Sequence, residues 1–178
     1  MRVVVITKKN TLFTTRFLLL LILQILGVRR SRNQKETADT ICLNLLFDET
    51  AINWFSDKQD IYTAREISQL LPLFERNDTY RRFLLSNKWI KKYLPNIFYS
   101  RSSNFDSKKS NGIFFSKIII NPFVETISRV LQMSLIKRHQ TREIVTKHVL
   151  AFHPNDYRVF VLDQLRLKMR QFGLLTKF

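Results

Sequence analysis

The side chains of this chain that could do chemistry are few, and their spacing matches no recognisable catalytic or metal site. Three histidines occur, at His139, His148 and His153, and the five-residue separation of the last two does not place them on one face of a helix. No cysteine or cluster of carboxylates completes a metal shell around them. Cys42 lies inside an apolar run, so we expect a reduced thiol that packs in the core. Residue types and spacing therefore indicate neither a metal centre nor a nucleophilic site.

Glycine content and charge narrow the classes of ligand. Glycine occurs at positions 27, 112 and 173, which excludes a glycine-rich phosphate loop and a dinucleotide-binding fingerprint. The chain of 178 residues has 30 Lys and Arg against 14 Asp and Glu, a net charge of +16. Such an excess favours anionic partners such as nucleotides, nucleic acid or lipid headgroups. Between Leu94 and Phe178 there are 14 basic and 5 acidic residues, so the anion-binding surface is expected mainly in that half.

The N-terminal part of the sequence predicts a strand, a helix and a second strand, and these elements would position the side chains of any site there. Residues 3–7 (VVVIT) predict a buried strand, residues 10–27 a helix that starts at Asn10 or Thr11 and ends at Gly27, and residues 41–47 (ICLNLLF) a second strand. We therefore expect an α/β core within residues 1–55. A strand this apolar at the start of the chain suggests that partner strands preceded it, so we expect a fragment that can self-associate through its exposed sheet edge.

The apolar run at residues 17–28 also resembles a membrane anchor. Its 12 or so uncharged residues fall short of the roughly 20 that cross a bilayer, and Arg16 and Arg29 flank it. We interpret the run as a core helix of a cytoplasmic protein. A membrane-anchored protein, held through residues 12–28, remains the alternative.

Residues 56–178 are predicted to be helical. Helices are expected at about 62–71, 78–93, 122–139 and 155–173, with a flexible loop near 99–112 that is rich in Ser and Asn. In the helix at 78–93, capped by Asp78, aromatic and aliphatic residues form one stripe, and basic residues form the opposite face. That basic face could contact phosphates or simply be solvated.

Several segments together resemble a family of bacterial nucleotidyltransferase-fold proteins of the polymerase beta-like type. The resemblance spans nearly the whole chain and is carried by VVVITKKNTLFTTRFLLLLILQILGVRR, ICLNLLFDE, DIYTAREISQLLPLFER, FLLSNKWIKKYLPN and AFHPNDYR. In that family a Gly-Ser motif and an Asp-x-Asp pair precede or enter the strand that matches residues 3–7. Both motifs are missing here, and Arg2 stands where the second aspartate would be.

The resemblance implies a fold of α/β followed by all-α, with an incomplete nucleotidyltransferase-like mixed sheet and a C-terminal helical bundle. The intact family implies a nucleoside triphosphate, Mg²⁺ and an acceptor that the sequence does not identify. Here Lys8 and Lys9 are the candidates to contact a triphosphate, with plain solvent exposure as the alternative. Asn44 lies on the strand that matches the third acidic position, so it is a further candidate nucleotide-binding residue, as a neutral ligand. Asp48 and Glu49 are interpreted as capping or loop residues.

Without the paired aspartates there is no carboxylate clamp for the metal ions of phosphoryl transfer. We therefore predict a truncated nucleotidyltransferase-like protein that transfers no nucleotide and has no metal site. The alternative is a basic module that binds nucleic acid or a protein partner through the helical half and residues 29–35. A steep loss of affinity with rising salt would identify nonspecific binding to nucleic acid.

Overall fold

The computed structural model describes residues 2–30, 38–98, 122–138, 144–152 and 157–173. Strands lie at the N-terminus and helices dominate the C-terminal part, which confirms the predicted order of α/β followed by helices. The main elements, in chain order, are β1 (Arg2–Thr7), α1 (Leu12–Ile25), β2 (Cys42–Asp48), α2 (Ile61–Ser68), α3 (Thr79–Ser86), α4 (Pro122–Lys137), β3 (Ile144–Val145), β4 (Val149–Ala151) and α5 (Tyr157–Gln171). Short 3₁₀ turns occupy Ser56–Lys58 and Lys88–Lys92.

The chain forms two compact units, and neither is continuous in sequence. Unit 1 is drawn from Met1–Ile52 and Asn111–Pro154, and unit 2 from Asn53–Ser110 and Asn155–Phe178. The sequence predicted a linear division near residue 55. In the structure, α4, β3 and β4 pack with the N-terminal segment because β4 pairs with β2 and α4 packs on α1.

Unit 1 is built on a mixed sheet with strand order β1-β2-β4-β3. The first two strands are parallel and joined through α1, whereas β4 is antiparallel to both β2 and β3. The core beneath α1 consists of side chains from α1, β2 and β4, namely Leu12, Phe13, Leu46 and Leu150. These side chains come from three separate stretches of sequence, so the sheet and α1 form one hydrophobic core.

The two short strands at 144–145 and 149–151 correct the prediction that residues 56–178 are all helical. Residues 149–152 are an apolar run in the sequence, but this run is too short for its periodicity to indicate a strand. These residues form a strand because they pair with β2, where Leu150 lies opposite Leu46 and is completely buried.

The C-terminal end of α1 confirms the predicted role of Gly27. Leu26 is the C-cap residue of α1, and Gly27 follows it with a φ of +70°. The Gly27 N–H donates to the carbonyl of Gln24 (3.2 Å) and the Val28 N–H to the carbonyl of Leu23 (3.1 Å). This pair of bonds is the Schellman motif, which requires a residue that tolerates positive φ.

Unit 2 consists of α2, α3, the 3₁₀ turns and α5, with a core of aliphatic and aromatic side chains from α2 onward. The single helix predicted over 78–93 is divided at Asn87, which is completely buried. The Asn87 side chain donates to the carbonyl of Phe83 (2.8 Å) and accepts hydrogen bonds from the Trp54 N–H (2.8 Å) and Trp89 Nε1 (3.1 Å). Asn87 thereby satisfies its side-chain hydrogen bonds inside the core at the position where α3 stops.

The two helices at the start of unit 2 are capped by carboxylates. Asp60 caps α2 by accepting a hydrogen bond from the Thr63 N–H at 2.9 Å. Asp78 precedes α3 as predicted, but it has a φ of +51° and makes no cap hydrogen bond with its side chain. The buried side chain of Glu75 accepts the Tyr80 N–H instead, at 3.0 Å.

Within the described residues, no helix has both the length and the apolar character needed to cross a bilayer. The predicted flexible loop at 99–112, most of the basic segment at 29–35 and the start predicted for the last helix at 155–156 lie outside the described residues.

Candidate functional site

The carboxyl ends of the parallel strands β1 and β2 meet at one edge of the sheet, which we call the carboxyl edge. Ligands of open α/β sheets bind at this edge in many proteins. Thr7, the last residue of β1, lies opposite Asp48, the last residue of β2. Lys8 and Lys9 follow β1, and His148 immediately precedes the antiparallel strand β4. Basic, acidic and imidazole side chains are therefore brought to one place.

Asp48 fixes this edge through a buried carboxylate. The residue is completely inaccessible to solvent. Its Oδ1 accepts hydrogen bonds from the Thr50 N–H (2.9 Å) and the Thr50 hydroxyl (2.7 Å), and its Oδ2 accepts one from the Asn10 N–H (2.8 Å). Asp48 thus joins the end of β2 to the turn between β1 and α1. The interpretation of Asp48 as a capping or loop residue agrees with these bonds.

Asn10 adopts a left-handed conformation in this turn, with a φ of +57°. Asparagine tolerates such a backbone better than most residues. The conformation occurs where the Asn10 N–H donates to Asp48, so the turn and the carboxylate form one connected arrangement.

The Asp48 carboxylate favours its ionised form. Burial by itself would raise its pKa, but hydrogen bonds from the backbone of Thr50 and Asn10 and from the Thr50 hydroxyl, with a smaller contribution from the nearby His148, outweigh burial and lower the pKa of Asp48. The His148 contribution is the weakest of these, since its Nδ1 lies 3.5 Å from Asp48 Oδ2, at the limit of a hydrogen bond. His148 is partly exposed, with 41% of its side chain accessible.

A second buried carboxylate caps the N-terminus of α1. Glu125, in the first turn of α4, accepts hydrogen bonds from the Phe13 N–H (2.9 Å) and the Thr14 N–H (2.8 Å). The Thr14 hydroxyl donates to the same carboxylate at 2.7 Å. Thr11 occupies the capping position, as predicted, but its side chain makes no cap bond. Glu125 of α4 therefore accepts hydrogen bonds from N–H groups that have no partner within α1, and it lies at the positive end of the α1 dipole.

Gln132, two turns further along α4, continues this polar contact. Its Nε2 donates to the carbonyl of Phe13 (2.7 Å), and its Oε1 accepts a hydrogen bond from Arg16 Nη1 (2.6 Å). The Arg16 guanidinium also lies over the ring of Phe152, 4.7 Å from its centroid. The nitrogen and the oxygen of the Gln132 side-chain amide are therefore both hydrogen-bonded, which makes the buried α1–α4 contact specific.

The residues predicted to contact a nucleotide do not form one group. Lys8 and Lys9 lie at the carboxyl edge and have exposed side chains. Asn44 lies in the opposite half of β2, where the pairing with β1 shifts by one residue. Its Oδ1 accepts a hydrogen bond from Cys42 Sγ. The Glu49 side chain accepts a hydrogen bond from the Lys9 N–H at 3.1 Å. This is a second contact between the segments that follow β1 and β2, besides the bond from Asn10 to Asp48.

Sequence reasoning did not identify Glu125. The available signal was a polar pair, Glu125 and Gln132, seven residues apart and hence on one face of a predicted helix. That spacing is equally typical of a solvated face. The partner helix is more than a hundred residues earlier in the chain, and a single sequence does not reveal such a contact.

A scan of the chain against protein-family models gave no match, and neither did searches of curated proteins and of solved structures. Among the described residues, no group of three or more His, Cys, Asp and Glu side chains is arranged to hold a metal ion.

Proposed function

We propose that this chain is a nucleotidyltransferase-like α/β protein that uses its carboxyl edge for structure rather than for nucleotidyl transfer, and that it binds nucleic acid through basic side chains of unit 2. The observation that carries the first part is the Glu125 carboxylate at the N-terminus of α1. The second part depends on the exposed basic face of α3 and the 3₁₀ turn that follows it.

The N-terminus of a helix that follows a strand is where α/β proteins bind phosphate, because free N–H groups point toward the ligand there. In this chain Phe13 and Thr14 already donate those N–H groups to Glu125. A phosphate at this position would have to displace a buried carboxylate and would leave it without hydrogen-bond partners. The arrangement therefore supports a structural role for this end of α1.

The residues at the carboxyl edge also do not fit the Mg²⁺ that the intact family implies. Magnesium takes oxygen ligands in a nearly octahedral shell and retains several waters. Both oxygens of Asp48 accept protein hydrogen bonds, and only 1% of its side chain is accessible to water. Asn44 lies in the other half of the strand.

A basic face on α3 and the following turn supports binding to a polyanion. Arg81, Lys88 and Lys92 are exposed. The buried side chains of the same segment are Tyr80, Phe83, Leu84 and Ile90. This matches the basic outward face predicted for residues 78–93. Clustered cations attract phosphates and release counterions, which gives affinity without sequence specificity.

The aromatic side chains beside this basic face are used inside unit 2. Trp89 and Tyr93 are half-buried and pack edge to face, with ring centroids 6.3 Å apart. Trp89 donates to Asn87, and the Tyr93 hydroxyl donates to the carbonyl of Gln59 at 3.2 Å. Because these rings are held in place, we expect contacts to the phosphate backbone rather than stacking on bases.

Binding of a fluorescent RNA duplex, followed by anisotropy at increasing salt, tests the second part. We expect the logarithm of affinity to fall linearly with the logarithm of salt, and R81Q/K88Q to reduce that slope by about two units. The matched control K168Q/R170Q removes the same charge from exposed positions on α5 and should change the slope less. Binding that is insensitive to salt, or equal losses in both variants, would contradict the proposal.

Incubation with Mg²⁺ and labelled nucleoside triphosphates, with RNA and the protein itself as acceptors, tests the first part. We expect no covalent transfer of label. Transfer that persists after repurification and is lost in D48N would overturn the structural interpretation of the carboxyl edge.

A further inference from the structure

Helix α1 exposes a stripe of large apolar side chains along its C-terminal half. Phe17, Leu21 and Ile25 are spaced four residues apart and are 52%, 46% and 75% exposed. Ile22 and Leu26 extend the same surface. Side chains at this spacing lie on one face of a helix, so they form a continuous apolar stripe rather than scattered exposed residues.

Helix α4, which packs on α1 in unit 1, buries two polar residues beside Ile136 and exposes several apolar ones. Its buried side includes the polar residues Glu125 and Gln132, whereas Ile127, Val130 and Leu131 are exposed. An ordinary surface helix directs its apolar residues to the core and its polar residues to water. Unit 1 thus presents apolar stripes on two neighbouring helices.

Both stripes end in a pair of basic residues. Arg29 and Arg30 follow α1 and are exposed, and Lys137 and Arg138 stand exposed at the end of α4. Helix α1 contains no acidic residue, and the one acidic residue of α4, Glu125, is buried. An apolar stripe flanked by cations and free of exposed carboxylates is complementary to anionic lipid headgroups over hydrocarbon.

We propose that unit 1 binds the surface of an anionic lipid bilayer, with the apolar stripe of α1 inserted among the acyl chains and Arg29 and Arg30 at the headgroups. The helix lies along the surface. Its 14 residues extend about 21 Å, which is shorter than the roughly 30 Å hydrocarbon core. A second copy of the chain fits this surface less well, because it would bring the same cations face to face.

Cosedimentation with phosphatidylcholine vesicles, with and without phosphatidylglycerol, tests the proposal. We expect binding to the anionic vesicles and at least tenfold weaker binding to the zwitterionic ones. L21Q/I25Q should lower partitioning onto anionic vesicles by roughly tenfold or more, because two apolar side chains no longer leave water. L71Q/L73Q replaces two comparably exposed leucines of unit 2 and should leave partitioning unchanged.

The charge contribution is tested separately. R29Q/R30Q should reduce partitioning onto anionic vesicles by roughly tenfold, since each cation near an anionic surface contributes to binding. R81Q/K88Q removes the same charge from unit 2 and should have little effect. The latter variant is the one expected to weaken RNA binding, so failure of the lipid proposal and failure of the RNA proposal give different results.

Three results would overturn the lipid proposal. The first is no partitioning of the wild-type chain onto anionic vesicles, and the second is an equal loss in L21Q/I25Q and L71Q/L73Q. The third is a dimer in sedimentation equilibrium without lipid that L21Q/I25Q converts to a monomer, because the stripe would then be a contact between copies. Circular dichroism of each variant shows whether the helices are retained.

Discussion

At the scale of single residues, unit 1 uses buried carboxylates to join segments that are far apart in the chain. Asp48 connects the end of β2 to the turn before α1, and Glu125 connects α4 to the first turn of α1. Each accepts three hydrogen bonds, which offset the cost of removing a charge from water. The same bonds leave these carboxylates poorly suited to bind metal ions or act as general bases.

Replacing Asp48 by Asn should destabilise unit 1 in a pH-dependent way. The pKa of Asp48 is lowered in the folded state, so its stabilising effect is fully present above about pH 4, the ordinary value of a free aspartate, and is lost as pH falls through the lower folded value. At pH 7 we expect D48N to lower the free energy of unfolding by about 2 kcal/mol, because the amide NH₂ cannot accept hydrogen bonds.

The measurement is urea denaturation of both proteins between pH 7 and pH 2. The difference between wild type and D48N should shrink as the solution is acidified below pH 4, wherever both proteins remain folded. A difference that stays constant with pH would mean that ionisation of Asp48 does not stabilise the fold.

Loss of the Glu125 carboxylate should also destabilise unit 1. E125A leaves two buried N–H groups and a hydroxyl without partners, at a cost of roughly 2–4 kcal/mol in unfolding free energy. E125Q keeps one acceptor and should cost less. D163N removes one negative charge from an exposed ion pair on α5 and should change stability by less than about 0.5 kcal/mol. Equal midpoints for E125A and D163N in urea would contradict the capping role.

Asn87 is the corresponding residue in unit 2. N87L removes hydrogen-bond partners of Phe83, Trp54 and Trp89 from a completely buried site, so we expect a loss of roughly 2–4 kcal/mol. N87D keeps an acceptor but loses the donor and should have an intermediate effect. Thermal unfolding followed by tryptophan fluorescence measures both, and an unchanged melting temperature in N87L would refute the role given to Asn87.

At the scale of elements, local sequence signals predicted some boundaries well but missed the contacts that α4 and β4 make with the N-terminal segment. The apolar run at residues 3–7 is β1, residues 41–47 overlap β2 almost completely, and Gly27 ends α1. These features depend on alternation, apolar content and a positive φ, which are local properties. The break at Asn87 and the strands β3 and β4 depend on partners elsewhere in the chain, so periodicity alone could not predict them.

For the site, too, the sequence predicted the residues at a strand end but not the contacts that depend on the assembled fold. Lys8 and Lys9 were placed at a strand end, and they lie at the carboxyl edge. The sequence could not show that Asp48 would be completely buried, or that Glu125 would reach α1. Both properties arise when the sheet and α4 assemble, and neither leaves a motif in the sequence.

The end of α1 gives an element-scale test. Gly27 has a φ of +70°, and a Cβ built there meets no other atom within 4 Å, so a substitution introduces backbone strain without a steric clash. G27A should therefore lower the free energy of unfolding by about 1 kcal/mol, and G27N by less, because Asn tolerates this conformation. Chemical denaturation measures both. Equal stability of G27A and wild type would exclude the Schellman motif as a stabilising feature.

At the scale of the whole molecule, the net charge is +16, and the exposed cations of the two units have different surroundings. Unit 1 combines its exposed cations with apolar stripes, whereas α3 of unit 2 and the turn after it form a basic face beside aromatic rings that are already held in place. The first combination suits a lipid surface and the second suits a phosphate backbone. We therefore propose a basic protein with two anion-binding surfaces, one on each unit, and with a carboxyl edge that has a structural role.

Glu125 closes the N-terminus of α1, and we therefore propose that this end of the helix does not receive phosphate. The most direct test is a titration of the ¹⁵N-labelled protein with a nucleoside triphosphate and Mg²⁺, following the amide signals of Phe13 and Thr14 by NMR. We expect these two signals to stay in place while signals of exposed basic residues shift weakly and without saturation. Saturable shifts of the Phe13 and Thr14 amides at micromolar nucleotide would contradict the account.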